Sequence, residues 1–375
     1  KLLWFKRNEP ERYARTWKVL GTAGYVVYRM TGRVFLDHAE ASHHGPFYRV
    51  AAGEWDRDLV TQAGLDPDLL PSLAWANGVA GSLLEGPAHA CGLLPGTPVR
   101  VGSNDGGMER LLAGKLRPGR AVLMYGSTIG IGITDTRWYV HGGLYRTRFC
   151  LPDYRVTSGY SSTGGIITKW FADTFGAPDL EPGERYRELE TEAAALAPGA
   201  EGLVTLPYFT GERTPINDPD ARGVLVGLTL RHTRGHIYRS LLEAIGYVFR
   251  HFLDELGDGG YAPEALVAIG GGSQSRTGLQ IVSDITGFDQ EVLDRNVDAA
   301  LGSALLAAHA AGSSPDLEIL IERVARPADT IEANPRAHRF YQRYYRLFRS
   351  LYPALRETMH ATGGLDYRRN EGDPK

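Results

Sequence analysis

The sequence predicts an α/β fold, because apolar β-branched runs end repeatedly in glycine-rich turns and then give way to helical spacing. Three places carry the prediction. Residues 99–101 run into Gly102-Ser-Asn-Asp105, residues 121–125 and 129–133 flank Gly126-Ser127-Thr128, and residues 265–269 feed Gly270-Gly-Gly-Ser-Gln-Ser275. The helical period is clearest at Ile237, Leu241, Leu242, Ile245, Val248, Phe249 and Phe252, which recur every three or four residues and mark a helix packed on a sheet.

The bulk properties narrow the class. A chain of 375 residues accommodates two domains and a large core. With 43% hydrophobic and 23% charged residues it has the make-up of a soluble globular protein. A formal charge of −3 gives no electrostatic case for a nucleic-acid or anionic-membrane partner. The two cysteines, Cys91 and Cys150, lie far apart in no metal-ligand spacing, which fits a reducing, cytoplasmic setting. No apolar run reaches bilayer-spanning length; the longest, residues 304–311, is interrupted by His309. There is no signal-peptide pattern, and because the chain opens on Lys1 its true start is expected to lie upstream.

Along the chain, Glu9 and Glu11 dilute the basic and aromatic character of residues 4–20, so that stretch reads as a solvated helix with aromatic core anchors rather than an RNA-binding arm. Residues 21–31 form a helix closed by Gly32. Residues 37–46 read as a polar loop whose His38, His43 and His44 lack the further well-spaced ligand a metal site needs. A short helix starts near Trp55, and the Pro- and Gly-rich residues 65–99 place a domain boundary at Pro95-Gly96-Thr97. Residues 138–154 read as a turn-rich excursion. The strand from Val156 ends in Gly164-Gly165, which opens an amphipathic helix with free N–H groups; alone, the pair reads better as a simple tight strand-to-helix turn.

Residues 182–196 make an acidic helix with a solvated face. Residues 210–223 form an ordered loop held by internal ion pairs, followed by the apolar run 224–230. A helix covers 277–285, a strand 289–293 and a small-residue helix 298–311. The last helix, 336–359, carries a core stripe of Phe340, Tyr344, Leu347 and Leu351, and the charged residues 366–375 are expected to fray.

The chemistry is read from the turns. Asp105 lies at the carboxyl end of a strand and before a glycine pair opening a helix, where an open α/β sheet presents side chains to its ligand crevice. That placement suits a base; standing alone, it suits a turn or N-cap aspartate better. Gly126, Ser127 and Thr128 offer free backbone N–H groups, little steric bulk and two hydroxyls, a combination that holds phosphate. Alone, they also fit an ordinary hairpin turn. Gly270 to Ser275 admit a flat or anionic group against the backbone, without the spacing or the acidic residue of a dinucleotide fingerprint. Asp105 and the Gly126 corner are expected to share one crevice.

Gly102-x-x-Asp105, Gly126-Ser127-Thr128, Gly211-Glu-Arg-Thr-Pro215 with Asp218-Pro-Asp-Ala-Arg-Gly223, Gly270 to Ser275, and Ala299-Ala-Leu-Gly-Ser-Ala304 together resemble the FGGY carbohydrate kinases, nearest to their xylulokinase-like members. The likeness runs from Lys1 to about Tyr352. It implies an actin/hexokinase-like (ribonuclease H-like) fold with ATP and sugar meeting between two lobes. The expected division is a partial sugar-binding lobe over residues 1–97, a complete nucleotide-binding lobe over 98–362 and a tail over 363–375.

On the resemblance, Asp105 is the base for the attacking sugar hydroxyl, and Gly126, Ser127 and Thr128 match the second phosphate turn. Gly164 and Gly165 are a further nucleotide contact, while Gly271, Gly272 and Ser275 contact adenosine. Mg²⁺ accompanies ATP without a dedicated protein cage. The implied partner is a small sugar, a ketose such as xylulose, with no nucleic acid or membrane and with a homodimer allowed. Two departures stand out: the Asp-x-Gly-Thr turn that opens the family is not in this sequence, and the phosphate turn reads Gly-Ser-Thr in place of Gly-Thr-Ser. The alternatives are a non-catalytic nucleotide-binding module of the same fold and, poorly supported by the glycine spacing, an NAD-dependent dehydrogenase.

Overall fold

The computed structural model describes residues 1–295, 297–314 and 316–363; the expected frayed end at 366–375 lies outside them. The elements that build the site are, in order, α1 (Thr22–Thr31), β1 (Phe35–Asp37), α2 (His38–Ala41), β2 (Ser72–Ala74), α3 (Asp105–Gly114), β3 (Arg120–Tyr125) and β4 (Ile129–Asp135). They continue with β5 (Tyr145–Arg148), β6 (Arg155–Ser161), α4 (Gly165–Phe175), α5 (Pro182–Ala194), α6 (Arg234–Asp258), β7 (Ala265–Ile269) and α7 (Arg276–Thr286). The last are β8 (Gln290–Leu293), α8 (Ala299–Ala310), β9 (Pro327–Ile331) and α9 (Pro335–Gly363).

One seven-stranded mixed sheet dominates, in the order β9-β8-β7-β3-β4-β6-β5. β3 and β8 both run parallel to β7, and the other neighbours are antiparallel. Parallel pairing of β7 with β3 sets Ile269 beside Met124, so the chain leaves both strands at the same sheet end. The turns at Gly126 and Gly270 are therefore neighbours, although 144 positions separate them in sequence (270 minus 126).

Strand alternation divides the core in two. Ala121, Leu123 and Tyr125 of β3, with Ile129, Ile131 and Ile133 of β4, face a large core completed by Phe171, Phe249, Tyr341 and Phe348. Val122 and, from β7, Val267 and Ile269 face a second core with Met108, Leu111 and Leu112 of α3 and Leu306 of α8. α8 approaches α3 closely: a Cβ on Gly302 would fall 2.6 Å from the Met108 carbonyl oxygen. Small residues there do what their sequence pattern suggested. Residues 1–104 carry only short elements, including the parallel pair β1–β2 and the antiparallel Val79–Ser82 with Pro98–Arg100.

Several expectations are corrected. Residues 4–20 hold two short helices, Leu2–Asn8 and Pro10–Ala14, rather than one; Tyr13 packs partly buried on a small core, but Trp4 and Trp17 are 63% and 62% exposed. Residues 37–46 are not a loop: β1 turns directly into α2, with the Asp37 carboxylate accepting from the Ala39 and Glu40 amides as N-cap. The 138–154 excursion contains the edge strand β5. The run after Val224 is a strand only to Val226, with Leu228 and Leu230 exposed.

The stripe on α9 is met in part: Tyr344 and Leu351 pack partly buried against the large core, but the fully buried positions lie one residue on from the expected set. Phe340 and Leu347 are exposed, while Tyr341, Tyr345 and Phe348 are buried. Aromatics occupy both adjacent registers, and the buried one is that whose hydroxyls find acceptors: Tyr341 donates to Glu243 (2.8 Å) and Tyr345 to Asp254 (2.6 Å). The helix at Leu317–Val324 and strand β9 had no distinct sequence signal.

Candidate functional site

The β3–β4 hairpin turn builds one end of the site. Gly126 closes it, its amide donating to the Thr128 carbonyl at 3.1 Å, while the amides of Ser127 and Thr128 have no protein acceptor among the described residues. Gly126 and Ser127 are exposed. The second turn lies alongside. Gly270 has φ +91°, and a Cβ there would sit 2.8 Å from the Tyr125 carbonyl oxygen, so only glycine lets β7 turn against β3. Gly271–Gln274 make a 3-10 turn, and Ser275 caps α7 by accepting from the Gly278 amide at 2.9 Å.

The amides at Gly164 and Gly165 are not free; the pair is the tight strand-to-helix turn that its sequence alone suggests. Gly164 donates to the Ser127 carbonyl (3.0 Å), Gly165 to Gly126 (2.8 Å) and Ile166 to Ser127 (3.1 Å). A Cβ on Gly164 would meet Ile129 Cγ2 at 2.5 Å and one on Gly165 the Gly126 carbonyl at 2.9 Å. These glycines stitch the start of α4 to the hairpin and fix its shape. The carbonyls of the turn are thereby occupied, leaving amides as its free groups.

A cavity of about 690 Å³ opens between the two turns and helices α4, α5, α6 and α7. Six of the eight sequence-chosen nucleotide residues line it: Gly126, Ser127, Gly165, Gly271, Gly272 and Ser275. Thr128, Gly164 and Asp105 are outside that lining. Its walls add what sequence reasoning missed: Ile166, Tyr186, Tyr238, Leu242, Ile245 and Val282 form an apolar part, with Lys169, Arg187 and Glu190 supplying charge. Leu242, Ile245 and Val282 carry the ordinary core period, and Tyr186 sits on the helix read as solvated. Nothing local marked them. The volume lies within the range of small-molecule sites, with apolar walls and a few fixed polar groups.

Asp105 lies on the other face of the sheet. It is the first residue of α3 and exposed, and Asn104 takes the capping role by accepting from the Gly107 amide (2.8 Å), so the carboxylate is not committed as a cap. It accepts from the Gly106 amide at 2.7 Å. Asp37 of β1 and Ser103 of the Asp105 loop are both buried. The Ser103 hydroxyl donates to Asp37 at 2.6 Å, tying the Asp105 loop to β1 and α2. Burial pushes the Asp37 carboxyl up to about 6 against the bonds it accepts from Ser103 and the α2 amides. Glu40 and Glu109 are also raised, first by burial and then by neighbouring carboxylates, Asp105 among them. His38 falls to about 4 through burial and then Arg148.

The 210–223 loop straps the sheet edge beside the Gly164 turn. Thr214 accepts from the Tyr160 amide (2.6 Å) and donates to its carbonyl (3.1 Å). Buried Glu212 accepts from Ser161 Oγ (2.6 Å) and from the Ser162 and Arg213 amides. Asp218 accepts from Tyr352 and pairs with His360, both at 2.7 Å. The loop is ordered as expected but not chiefly by internal ion pairs: the one such pair among the described residues, Arg222 with Asp220, is long at 3.8 Å. Carboxylates bonded to hydroxyls and amides, which spacing does not reveal, hold it instead.

Among the described residues, no group of three or more His, Cys, Asp or Glu side chains is arranged to hold a metal ion, and no helix is long and apolar enough to cross a membrane.

A mixed sheet that gathers glycine turns at one end, with a cavity on one face and a carboxylate on the other, defines the chain as an actin/hexokinase-like protein. Residues 1–111 match the N-terminal domain model and residues 123–311 the C-terminal domain model of the FGGY family of carbohydrate kinases. The chain belongs to that family, whose members are phosphotransferases. It is 30% identical over 355 residues to the xylulose kinase of Bacillus subtilis, covering 94% of this chain and 70% of that one. It is 27% identical to the gluconokinase of Bacillus licheniformis, covering 86% and 64%. The solved xylulose kinase from Rhodospirillum rubrum superposes with a TM-score of 0.86 at 32% identity, covering 96% of this chain and 72% of that one.

Proposed function

We propose that the chain transfers the terminal phosphoryl of ATP to a hydroxyl of a small sugar, a ketose such as xylulose, with Asp105 as the base. The observation that carries this reading is the sheet end itself: the cavity on one face and Asp105 on the other are separated by the Ser127–Thr128 turn, whose amides have no protein acceptor among the described residues. A nucleotide with its base against Tyr186, Tyr238 and Ile245 would extend its phosphates over that turn toward Asp105. The residues fit the nucleotide: apolar walls for a base, glycine backbone and unpaired amides for phosphate. Phosphoryl transfer needs this alignment and charge neutralisation more than covalent help. Mg²⁺, when bound, neutralises phosphate charge and takes most of its ligands from phosphates and water.

On this reading the lobes divide near residue 97, with the acceptor held by residues before it and by Asp105. The kinship with both xylulose kinases and a gluconokinase makes the acceptor panel the test. A coupled ADP-release assay over ketoses, aldoses, polyols and aldonates is expected to give saturable turnover with a ketose. ATP-independent binding of NAD, or no acceptor that accelerates ADP release, would overturn the reading.

A further inference from the structure

Strand β4 reads Ile-Gly-Ile-Gly-Ile, and only its isoleucines are used by the core. The glycines face the α3 side, where they leave a trench for two large side chains. A Cβ on Gly130 would fall 2.6 Å from the Tyr160 ring, and one on Gly132 2.9 Å from Arg110 Cδ. Arg110 is therefore laid along the sheet, 8% exposed, and its side chain leans back toward the start of α3, as long side chains on helices do. One guanidinium nitrogen lies 3.4 Å from where a Cβ of Gly106, the residue after Asp105, would be. Another donates to the Tyr160 hydroxyl at 3.0 Å, while Nε is buried without a partner.

The charge balance is unusual. Among the described residues the Tyr160 hydroxyl is the hydrogen-bond partner of Arg110, and no carboxylate pairs with it. A buried guanidinium held by a neutral hydroxyl costs free energy that an anion would recover. The positive charge is felt by its surroundings: it helps lower Tyr160, and it acts beside burial to lower His43, which reaches over from the segment after α2.

We propose that Arg110 is an oxyanion-binding residue of the acceptor side, a cation whose balancing charge arrives with the substrates. The proposal rests on the reading of Asp105 given above. Two sources carry the same chemistry, the phosphoryl group in transit and a carboxylate on an acidic acceptor such as an aldonate. The Gly130–Gly132 trench and Tyr160 hold the guanidinium in place for either, and an Arg planar fork suits both.

The test is calorimetric binding of inorganic phosphate and of D-gluconate, each with ADP present, to wild type, Arg110→Met and Arg110→Lys. ADP affinity itself reports folding, since Arg110 is not among the residues that line the cavity. The expectation is that Arg110→Met weakens at least one of the two oxyanions tenfold or more at unchanged ADP affinity, with Arg110→Lys between. Loss of phosphate binding identifies the transferred group, and loss of gluconate binding identifies an acidic acceptor. Oxyanion binding that is absent from wild type, or unaltered in Arg110→Met, overturns the proposal. Turnover of Asp105→Asn separates the two readings: full activity there removes the base, whatever Arg110 does.

Discussion

Glu212 shows at the residue scale how a sequence motif acquires a measurable property. Its carboxyl is buried, which raises it from 4.5 to about 7 despite the hydrogen bonds it accepts from Ser161, Arg213 and Ser162. A folded-state value above the unfolded one means the native chain holds the proton more tightly. Its contribution is fully present below pH 4.5 and is lost as pH rises through 7, a change of about 3 kcal/mol. Denaturation of Glu212→Gln followed from pH 5 to 8 is expected to lack that decline. A variant whose stability falls with pH as steeply as wild type would assign the decline to other groups. The motif was legible in the sequence as an ordered loop, but its partners were not, because a hydroxyl and two amides reached by chain folding leave no periodic trace.

At the scale of elements, the strands and long helices were readable because burial imposes a period on them. The alternation in β3 and β4 and the apolar face of α6 appear in the structure where the residue pattern put them. What failed were places where two patterns compete. On α9, aromatic residues fill adjacent registers, and tertiary acceptors at Glu243 and Asp254 decide between them. At Gly164-Gly165 the sequence identified the helix start and a tight strand-to-helix turn, but not the hairpin carbonyls that its amides would meet. The two glycines pack closely on the hairpin, so a side chain there should deform the Gly126–Thr128 turn. Gly164→Val is expected to weaken ADP binding at least tenfold, measured by calorimetry. Unchanged ADP affinity would mean that the hairpin keeps its shape without the stitch.

For the whole molecule, the sheet does what no single motif could. It carries a nucleotide-sized cavity on one face, Asp105 on the other and a turn with free amides at the end between them. Five ordered motifs made the family legible in the sequence, whereas the apolar cavity walls were not, being indistinguishable from core until α5, α6 and α7 are assembled. Asp105 does not share the cavity lining with Gly126; the two are related across the sheet end instead. The central claim is that phosphoryl transfer occurs there, with Asp105 receiving the acceptor's proton. The direct measurement is kcat and ADP affinity for Asp105→Asn with its best acceptor. The account predicts a loss of about 10²- to 10⁴-fold in kcat at unchanged ADP affinity. A variant that turns over at the wild-type rate would contradict it.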